Sequence, residues 1–137
     1  DRIYPLFLKF ENPKLTKEDW RLLFVDHWKC NEGYFGYVLE EKDSIVGFLG
    51  MIFSRRTVGG KEAKFCNLTS WVVEENFRNQ SLSLFIPVMK LDDYTVTIYT
   101  ASKETYAVAK KFGFQDLESN LRIIFPLPSV FPLRTVC

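Results

Sequence analysis

The stretch ENFRNQSLSLF, residues 75–85, carries the polar side chains that could bind an anion. Its first half holds Arg78, Asn79 and Gln80, and two serines follow two positions apart. A polar loop that leads into a helix can present its backbone N–H groups to a phosphate. Such loops normally contain glycine, which allows close approach to the backbone, and this one contains none. Two interpretations therefore stay open, a phosphate-binding loop or a polar turn that binds no ligand.

Polar side chains also interrupt the strand that we expect just before this loop. In residues 63–73, a period-two alternation places Asn67 and Thr69 on one face, together with Trp71 and Val73. A buried polar group needs a hydrogen-bond partner, so Asn67 and Thr69 either join a structural network or face a cleft. In a cleft they could position a substrate or a water molecule, and we take both as candidate catalytic residues.

The other reactive side chains favour structural interpretations. His27 is the only histidine and would suit a base near neutral pH, but it falls on the apolar face of a predicted helix, where we expect a packed core residue. Cys66 has no nearby partner that would activate it as a nucleophile. The cysteines at 30, 66 and 137 lack the spacing of a disulfide framework or a zinc site. We therefore expect reduced thiols in a cytoplasmic protein and no metal.

Length and composition favour one globular domain. The chain has 137 residues, of which 47% are hydrophobic and 16% aromatic, as suits a single well-packed core. Its net charge of +1 provides no broad field for nucleic acid or an anionic membrane, and no apolar run approaches the ~20 residues that span a bilayer. We assign residues 1–125 to the domain and residues 126–137 to a proline-rich tail that suggests a longer protein.

Apolar periodicity and turn residues predict the elements that must position these side chains. The predicted strands are residues 3–10, 36–41, 45–54, 63–73, 94–100 and 117–125, and the predicted helices are residues 17–29, 81–91 and 103–112. Short links at 42–44 and 57–61 demand antiparallel hairpins. The helical connection demands a crossover that sets 63–73 parallel to 94–100. We expect Thr16 and Asp19 to cap the first helix and Pro87 to interrupt the second.

Two motifs in this order of elements resemble those of the GNAT superfamily of CoA-dependent N-acyltransferases. The first, WVVEENFRNQSLS, is similar to the family's strand and loop, with Arg78 at a Gln/Arg position and Ser81 and Ser83 at glycine or alanine positions. The second, SKETYAVAKKFGF, is similar to the family's last helix and has the same Gly-Phe ending. The resemblance covers residues 3–125. It implies an α+β, three-layer fold with a mixed, mostly antiparallel twisted sheet and helices on both faces.

The resemblance also implies which groups would bind acetyl-CoA. Main-chain groups near Trp71, Val72 and Val73 would pair with pantetheine, and loop N–H groups would bind the pyrophosphate. The loop residues assigned to CoA, together with the cap of the last helix, are Arg78, Asn79, Gln80, Ser81, Leu82, Ser83 and Ser102. Arg55 and Arg56 could meet the nucleotide 3′-phosphate or be simply solvated, and we favour solvation.

Three departures from the family's motifs weaken the implied catalytic machinery. Serines replace the loop glycines, although N–H groups still serve if Ser81 needs no positive φ. Ala109 stands where many relatives have a tyrosine thought to protonate the leaving thiolate. Tyr106, one turn earlier, is our candidate for that role, and packing in the core is the alternative. No glutamate precedes Glu74 on the strand, where many relatives place a carboxylate base.

The implied function is an acyl-CoA-dependent N-acyltransferase, most simply one that moves acetyl from acetyl-CoA to an unidentified primary amine. We expect acyl-CoA and an amine as partners, and neither nucleic acid nor a membrane. The main alternative is a catalytically weakened GNAT-like module that binds acyl-CoA or a partner without turnover, which the three departures favour. A third interpretation is an unrelated α+β ligand-binding domain.

Overall fold

Two compact units make up the chain. The computed structural model describes residues 2–10, 12 and 14–117, and the units comprise residues 1–101 and residues 102–137. The predicted strand 117–125, apart from its first residue, and the tail 126–137 lie outside the described residues. No helix in the described part of the chain is long and apolar enough to cross a membrane.

A four-stranded mixed sheet forms the centre of the first unit. The strands β1 (Gly36–Glu41), β2 (Ser44–Val58), β3 (Lys61–Val73) and β4 (Tyr94–Thr97) lie in that order. β1, β2 and β3 pair antiparallel, whereas β3 and β4 pair parallel. Both predicted hairpins and the predicted parallel pair are therefore confirmed. β1 has its predicted bounds, while β4 ends at Thr97 rather than at residue 100.

Backbone conformations with positive φ make both hairpin turns tight. Gly59 and Gly60, between β2 and β3, have φ values of +58° and +78°, and Lys42 and Asp43, between β1 and β2, have values of +45° and +66°. Two successive residues with positive φ are typical of the turn whose twist matches antiparallel strands. Glycine adopts this conformation freely, whereas Lys42 and Asp43 do so with some strain.

One face of the sheet packs against the start of the chain. Helix α1 (Tyr4–Phe7) continues as a 3₁₀ helix, Leu8–Phe10. Leu6 and Phe7 of this segment form a buried cluster with Phe48 of β2, and the ring centroids of Phe7 and Phe48 lie 5.5 Å apart.

The predicted strand 3–10 is therefore wrong. Its apolar residues at 3, 6, 7 and 10 recur at intervals of three and four, which is a helical spacing. Pro5 lies in the first turn of α1, where its missing N–H removes no helical bond. Proline and a short apolar run suggested an edge strand, but the burial of adjacent Leu6 and Phe7 on one side requires a helix.

A second short helix, α2 (Lys17–Arg21), packs on the same face. Its predicted capping box is confirmed, because Asp19 N–H donates to Thr16 Oγ1 at 3.2 Å and Thr16 N–H donates to Asp19 Oδ2 at 2.8 Å. The helix tightens into a 3₁₀ turn, Leu22–Phe24, and ends there, well before residue 29. His27 lies beyond this end and is exposed, so its prediction as a packed core histidine is wrong.

The opposite face packs against helix α3 (Ser81–Phe85), which confirms helices on both faces. Leu84 and Phe85 are 2% and 0% exposed, and Gly47 of β2 leaves room for Leu84, whose Cδ1 would lie 3.3 Å from a Cβ at that position. A 3₁₀ helix, Glu75–Gln80, precedes α3, and another, Val88–Lys90, follows it. The predicted helix 81–91 is thus interrupted before Val88, as Pro87 indicated.

A bulge at Ser70 changes which side chains of β3 share a face. Gly50 of β2 pairs with Thr69, but Phe48 pairs with Val72, so β3 has one extra residue between these pairs. Ser70 has a φ of +51°. The predicted grouping of Trp71 and Val73 with Asn67 and Thr69 is therefore wrong, since the bulge moves these two side chains to the face of α3.

The second unit is described through residue 117 and contains helix α4 (Lys103–Lys111). Its predicted cap is confirmed, because Ser102 Oγ accepts a hydrogen bond from Thr105 N–H at 3.2 Å. Gly113 ends the helix with a φ of +86°. Its N–H donates to Lys110 O, and Phe114 N–H donates to Ala109 O, which is the paired pattern of a glycine-terminated helix.

Candidate functional site

One edge of β3 is open over its second half. The parallel pairing with β4 begins at Lys64 and Tyr94 and ends at Asn67 and Thr97. β3 nevertheless continues to Val73, and its other edge stays paired with β2 to that residue. Among the described residues no strand lies beside residues 68–73 on the β4 side. The main-chain groups of this edge can therefore accept a ligand that binds like a strand.

The Ser70 bulge lies in the middle of this open edge. Thr69 Oγ1 and Ser70 Oγ lie 3.3 Å apart and share a hydrogen bond. Thr69 also packs closely on the backbone of β2, since a Cβ at Gly50 would lie 3.0 Å from Thr69 O. A bulge leaves one residue out of the strand pairing and redirects its neighbours, so the main chain here departs from the regular pleat where the strands part.

The side chains of residues 71–73 pack within the protein rather than toward a ligand. Trp71 stacks on Phe85 of α3, with ring centroids 5.3 Å apart and planes 8° apart. Val72 packs against the cluster of Leu6, Phe7 and Phe48. Val73 pairs with Gly47. The side chains of this segment are therefore engaged within the protein, and the pairing of its main chain with pantetheine stays a prediction.

The polar loop folds as a 3₁₀ helix and already uses part of its donors. Ser81 has a φ of −55°, so a glycine is not needed at that position. However, Phe77 N–H donates to Glu74 O at 2.9 Å and Ser81 N–H donates to Arg78 O. Ser83 Oγ donates to Gln80 O at 2.6 Å. The loop is thus more compact than an open phosphate cradle.

The side chains of the loop are mostly accessible. Arg78, Asn79 and Gln80 are exposed, as are Leu82 and Ser83 at the start of α3, while Ser81 is half-buried. The guanidinium of Arg78 can therefore reach an anion in solvent. The loop therefore presents one cation, Arg78, and several polar side chains next to the end of the open edge.

A cavity of about 220 Å³ lies beside Asn67, on the sheet face that packs against α1 and α2. Thr97 Oγ1 donates to Asn67 Oδ1 at 3.3 Å, which links β3 to β4 at the last pair before the strands part. The residues that line the cavity are Trp28, Ile52, Ser54, Arg56, Phe65, Asn67, Thr97 and Tyr99. Asn67 therefore both joins a network and faces a cleft, whereas Thr69 does not line it.

Sequence reasoning missed most of this lining. Trp28, Ser54, Thr97 and Tyr99 were not among the predicted site residues. Ser54 of β2 pairs with Phe65 of β3. Ile52 and Arg56, each two residues from Ser54 along β2, lie on the same face of the sheet as Ser54. The alternation along β2 was visible in the sequence, but only the strand register shows that these side chains surround Asn67.

Two predicted site residues belong to the second unit. Ser102 caps α4, and Tyr106 Oη donates to Asp116 Oδ2 at 3.3 Å. Ala109 is 6% exposed, so a tyrosine there would have to displace neighbouring atoms. Tyr106 is 47% exposed and engaged with a carboxylate of its own unit. The roles of Ser102 in CoA binding and of Tyr106 in catalysis stay predictions.

The remaining candidates differ sharply in accessibility. Cys66 is 0% exposed, and burial raises the pKa of its thiol to about 12, which opposes a role as a thiolate nucleophile. The exposed His27 ring lies with Nε2 3.1 Å from Leu22 O. It lines a second cavity of about 230 Å³ that shares Trp28 and Ile52 with the first.

Comparison with known proteins identifies the fold. No model of a known protein family matches the chain, and no curated protein matches its sequence. A predicted acetyltransferase from Clostridium acetobutylicum, solved with acetyl-CoA, is 21% identical with a TM-score of 0.62, over 90% of this chain and 84% of that one. Glucosamine-6-phosphate N-acetyltransferase from Arabidopsis thaliana is 16% identical with a TM-score of 0.58, over 83% and 82%.

An acetyltransferase from Trypanosoma brucei is 16% identical with a TM-score of 0.50, and the match covers 66% of each chain. This chain thus spans slightly less than two thirds of that protein. Since every identity is low, these likenesses concern the fold. The chain has the fold of the GNAT acyl-CoA N-acyltransferases, as its two motifs indicated.

Proposed function

We propose that the chain is an acyl-CoA-dependent N-acyltransferase, which moves an acetyl group from acetyl-CoA to a primary amine. One observation carries this proposal: the parallel pair of β3 and β4 parts after Asn67 and Thr97, beside the Ser70 bulge. This separation of the two strands leaves main-chain groups of β3 without a strand partner on that edge among the described residues. The chain shares its fold with a predicted acetyltransferase. The Arabidopsis neighbour is a glucosamine-6-phosphate N-acetyltransferase, which supports a primary amine as acceptor.

Acyl-CoA would lie along the open edge of β3. Pantetheine amides would exchange hydrogen bonds with the main chain of residues 71–73, as an added strand does. Because Ser81 N–H is engaged with Arg78 O, we assign the pyrophosphate to the N–H groups of Leu82 and Ser83 and to the Arg78 guanidinium. The exposed side chains of Asn79 and Gln80 would add donors.

The reaction needs a neutral amine. Its nitrogen lone pair attacks the thioester carbonyl carbon, and the carbonyl oxygen becomes an oxyanion that a main-chain N–H near the Ser70 bulge would stabilise. The C–N bond forms, the amine loses a proton, and the C–S bond breaks to release CoA as a thiolate. Asn67 and Thr69 would position the amine or a water molecule that carries the proton away.

Few groups of this chain are candidates for the acid that protonates the leaving thiolate. Ala109 supplies no proton, and Tyr106 is the remaining candidate acid, with its hydroxyl on Asp116. Water can protonate the thiolate in its place, because a thiolate is a tolerable leaving group. We therefore propose slow turnover, since positioned acid–base groups typically contribute about 10²–10⁴-fold to the rate.

Thiol release tests the proposal. Purified protein is incubated with acetyl-CoA and a panel of primary amines, free thiol is followed with a chromogenic disulfide, and the acetylated amine is identified by mass spectrometry. We expect amine-dependent thiol release together with the matching amide. Alcohols that carry a hydroxyl group in place of each amino group serve as controls. Absence of amine-dependent release across the panel would overturn the proposed activity.

A binding module is the second candidate, and it rests on the engaged loop donors and on Ala109. Such a module would bind acetyl-CoA tightly, as measured by isothermal titration calorimetry, and release no thiol above background. An unrelated ligand-binding domain would not bind CoA at all. The two measurements together separate the three functions.

A further inference from the structure

The cavity beside Asn67 has an uneven distribution of charge. None of the eight described residues that line it carries a carboxylate, and Arg56 is the single cation among them. The Arg56 guanidinium lies over the Phe65 ring, 5.8 Å from the ring centroid. The aromatic ring therefore holds this cation at the cavity without neutralising its charge.

The neighbouring arginine shows the opposite arrangement. Arg55 lies on the other face of β2, where it forms ion pairs with Glu32 at 3.6 Å and Glu62 at 3.5 Å. Arg55 Nη2 also donates to Cys30 O at 3.4 Å. Two adjacent arginines of one strand thus serve different purposes, since Arg55 is neutralised by the protein and Arg56 faces a cavity whose described lining contains no acid.

Two polar residues line the same cavity. Ser54, which is 8% exposed, and Asn67 are both part of its lining. Because Asn67 Oδ1 accepts from Thr97 Oγ1, the Nδ2 group of Asn67 is the end that can donate to a ligand. Ile52, Thr97 and the aromatic residues Trp28, Phe65 and Tyr99 complete the lining.

From this geometry we propose that the cavity binds an acceptor amine that also carries a carboxylate, with an apolar or aromatic body between the rings. Arg56 binds the carboxylate, Asn67 donates a further hydrogen bond, and the rings enclose the body. The inference rests on the proposed function, because it names the acceptor class of that site. A volume of about 220 Å³ is below the roughly 300–1,000 Å³ of pockets for drug-sized ligands, so the acceptor is small.

The cavity is close enough to the open edge for transfer. Asn67 and Thr69 lie two residues apart on the same face of β3, a separation of roughly 7 Å. Thr69 precedes the Ser70 bulge, where the thioester carbonyl is proposed to lie. An amine that extends from the cavity toward Thr69 therefore approaches the carbonyl carbon from the face of Asn67.

A matched ligand pair tests the inference without CoA. L-Phenylalanine and phenethylamine differ only by the carboxylate, and their dissociation constants are measured by ligand-observed NMR with the full chain. We expect phenylalanine to bind about tenfold more tightly, as a charge-assisted hydrogen bond predicts. Arg56→Gln should remove this preference, and Asn67→Asp should reverse it by placing a negative charge in the cavity. Arg55→Gln is the matched control and should keep the preference.

Equal binding of the two ligands to the unaltered protein would overturn the inference, as would an unchanged preference in Arg56→Gln. Failure of this inference is separable from failure of the transferase activity. If amines release thiol but the carboxylate does not change ligand affinity, only the proposed acceptor class is wrong. If the carboxylate preference is observed while no amine releases thiol, the proposed pocket is supported and the transferase function is wrong.

Discussion

Trp71 combines a large packing contribution with an unusual polar group. Its ring stacks on Phe85, which fixes α3 against the strand that carries the open edge. Its Nε1 is buried and has no hydrogen-bond partner among the described residues. A buried donor without a partner costs about 1–3 kcal/mol. The ring therefore stabilises the site while its N–H opposes that stability.

We predict that Trp71→Phe leaves the free energy of unfolding unchanged or raises it, because phenylalanine retains the stacking and removes the unpaired N–H. Trp71→Ala should lower it by about 3–5 kcal/mol, the usual cost of removing a large core aromatic. Urea unfolding followed by circular dichroism measures both. Equal losses in the two variants would contradict this account and indicate that the indole N–H has a partner.

A second residue-scale prediction concerns pH. Burial raises the pKa of Cys66 to about 12 from an ordinary value of 9.0. The folded protein therefore keeps this proton at a pH where the unfolded chain has lost it, so stability is complete below pH 9 and falls as pH rises toward 12. Cys66→Ala should flatten the fall of the unfolding free energy in this window, by up to about 1.4 kcal/mol per pH unit. An identical slope in the variant would show that Cys66 does not contribute.

At the scale of elements, the Ser70 bulge determines how β3 presents its open edge. Ser70 has a φ of +51°, a conformation that costs a residue with a side chain roughly 1–2 kcal/mol. The strand retains it between Thr69 and Trp71, whose side chains are fixed on opposite faces. The backbone strain at Ser70 therefore lies on the open edge of β3, where a ligand would contact the main chain.

Ser70→Gly is expected to raise the free energy of unfolding by about 0.5–1 kcal/mol, since glycine adopts positive φ freely. Ser70→Val should lower it, because a β-branched side chain is poorly tolerated at this φ. Ser54→Gly, at a position of β2 without positive φ, is the control and should be destabilising. Chemical denaturation measures all three variants. A loss of stability in Ser70→Gly would mean that the bulge is not strained.

Local chemistry in the sequence predicted many elements but not the features that depend on pairing. The bounds of β1, the capping box of α2 and the glycine end of α4 follow from alternation and capping residues within a few positions. The predicted strand at residues 3–10 is wrong because Pro5 and a short apolar run are compatible with an edge strand as well as with the first turn of a helix. The bulge and the cavity beside Asn67 depend on the register between β2 and β3, which no single segment specifies.

At the scale of the whole molecule, the fold and the proposed chemistry are consistent. The antiparallel meander holds β3 on one side, the crossover through α3 sets β4 parallel on the other, and the two strands part where transfer is proposed. The first unit alone contains this edge, the loop at Arg78 and the cavity at Asn67. The acid–base groups are the weakest part of the arrangement.

The pH dependence of turnover should reflect that weakness. We predict that the rate of amine-dependent thiol release rises with pH until the acceptor amine is neutral and then levels, without a descending limb from an enzymatic acid. Steady-state rates at saturating acetyl-CoA with acceptors of different amine pKa test this, and the midpoint should follow the acceptor. A descending limb that Tyr106→Phe removes would instead assign the acid to Tyr106.

The most direct test of the central claim, that acyl-CoA lies along the open edge of β3, is amide hydrogen exchange with and without acetyl-CoA. We predict slower exchange in residues 69–73 and 78–83 when acetyl-CoA is bound, with unchanged exchange in β1, which is the internal control. Arg78→Gln should weaken the protection at a given ligand concentration. Binding of acetyl-CoA by calorimetry without protection of residues 69–73 would contradict the claim, and so would the absence of binding.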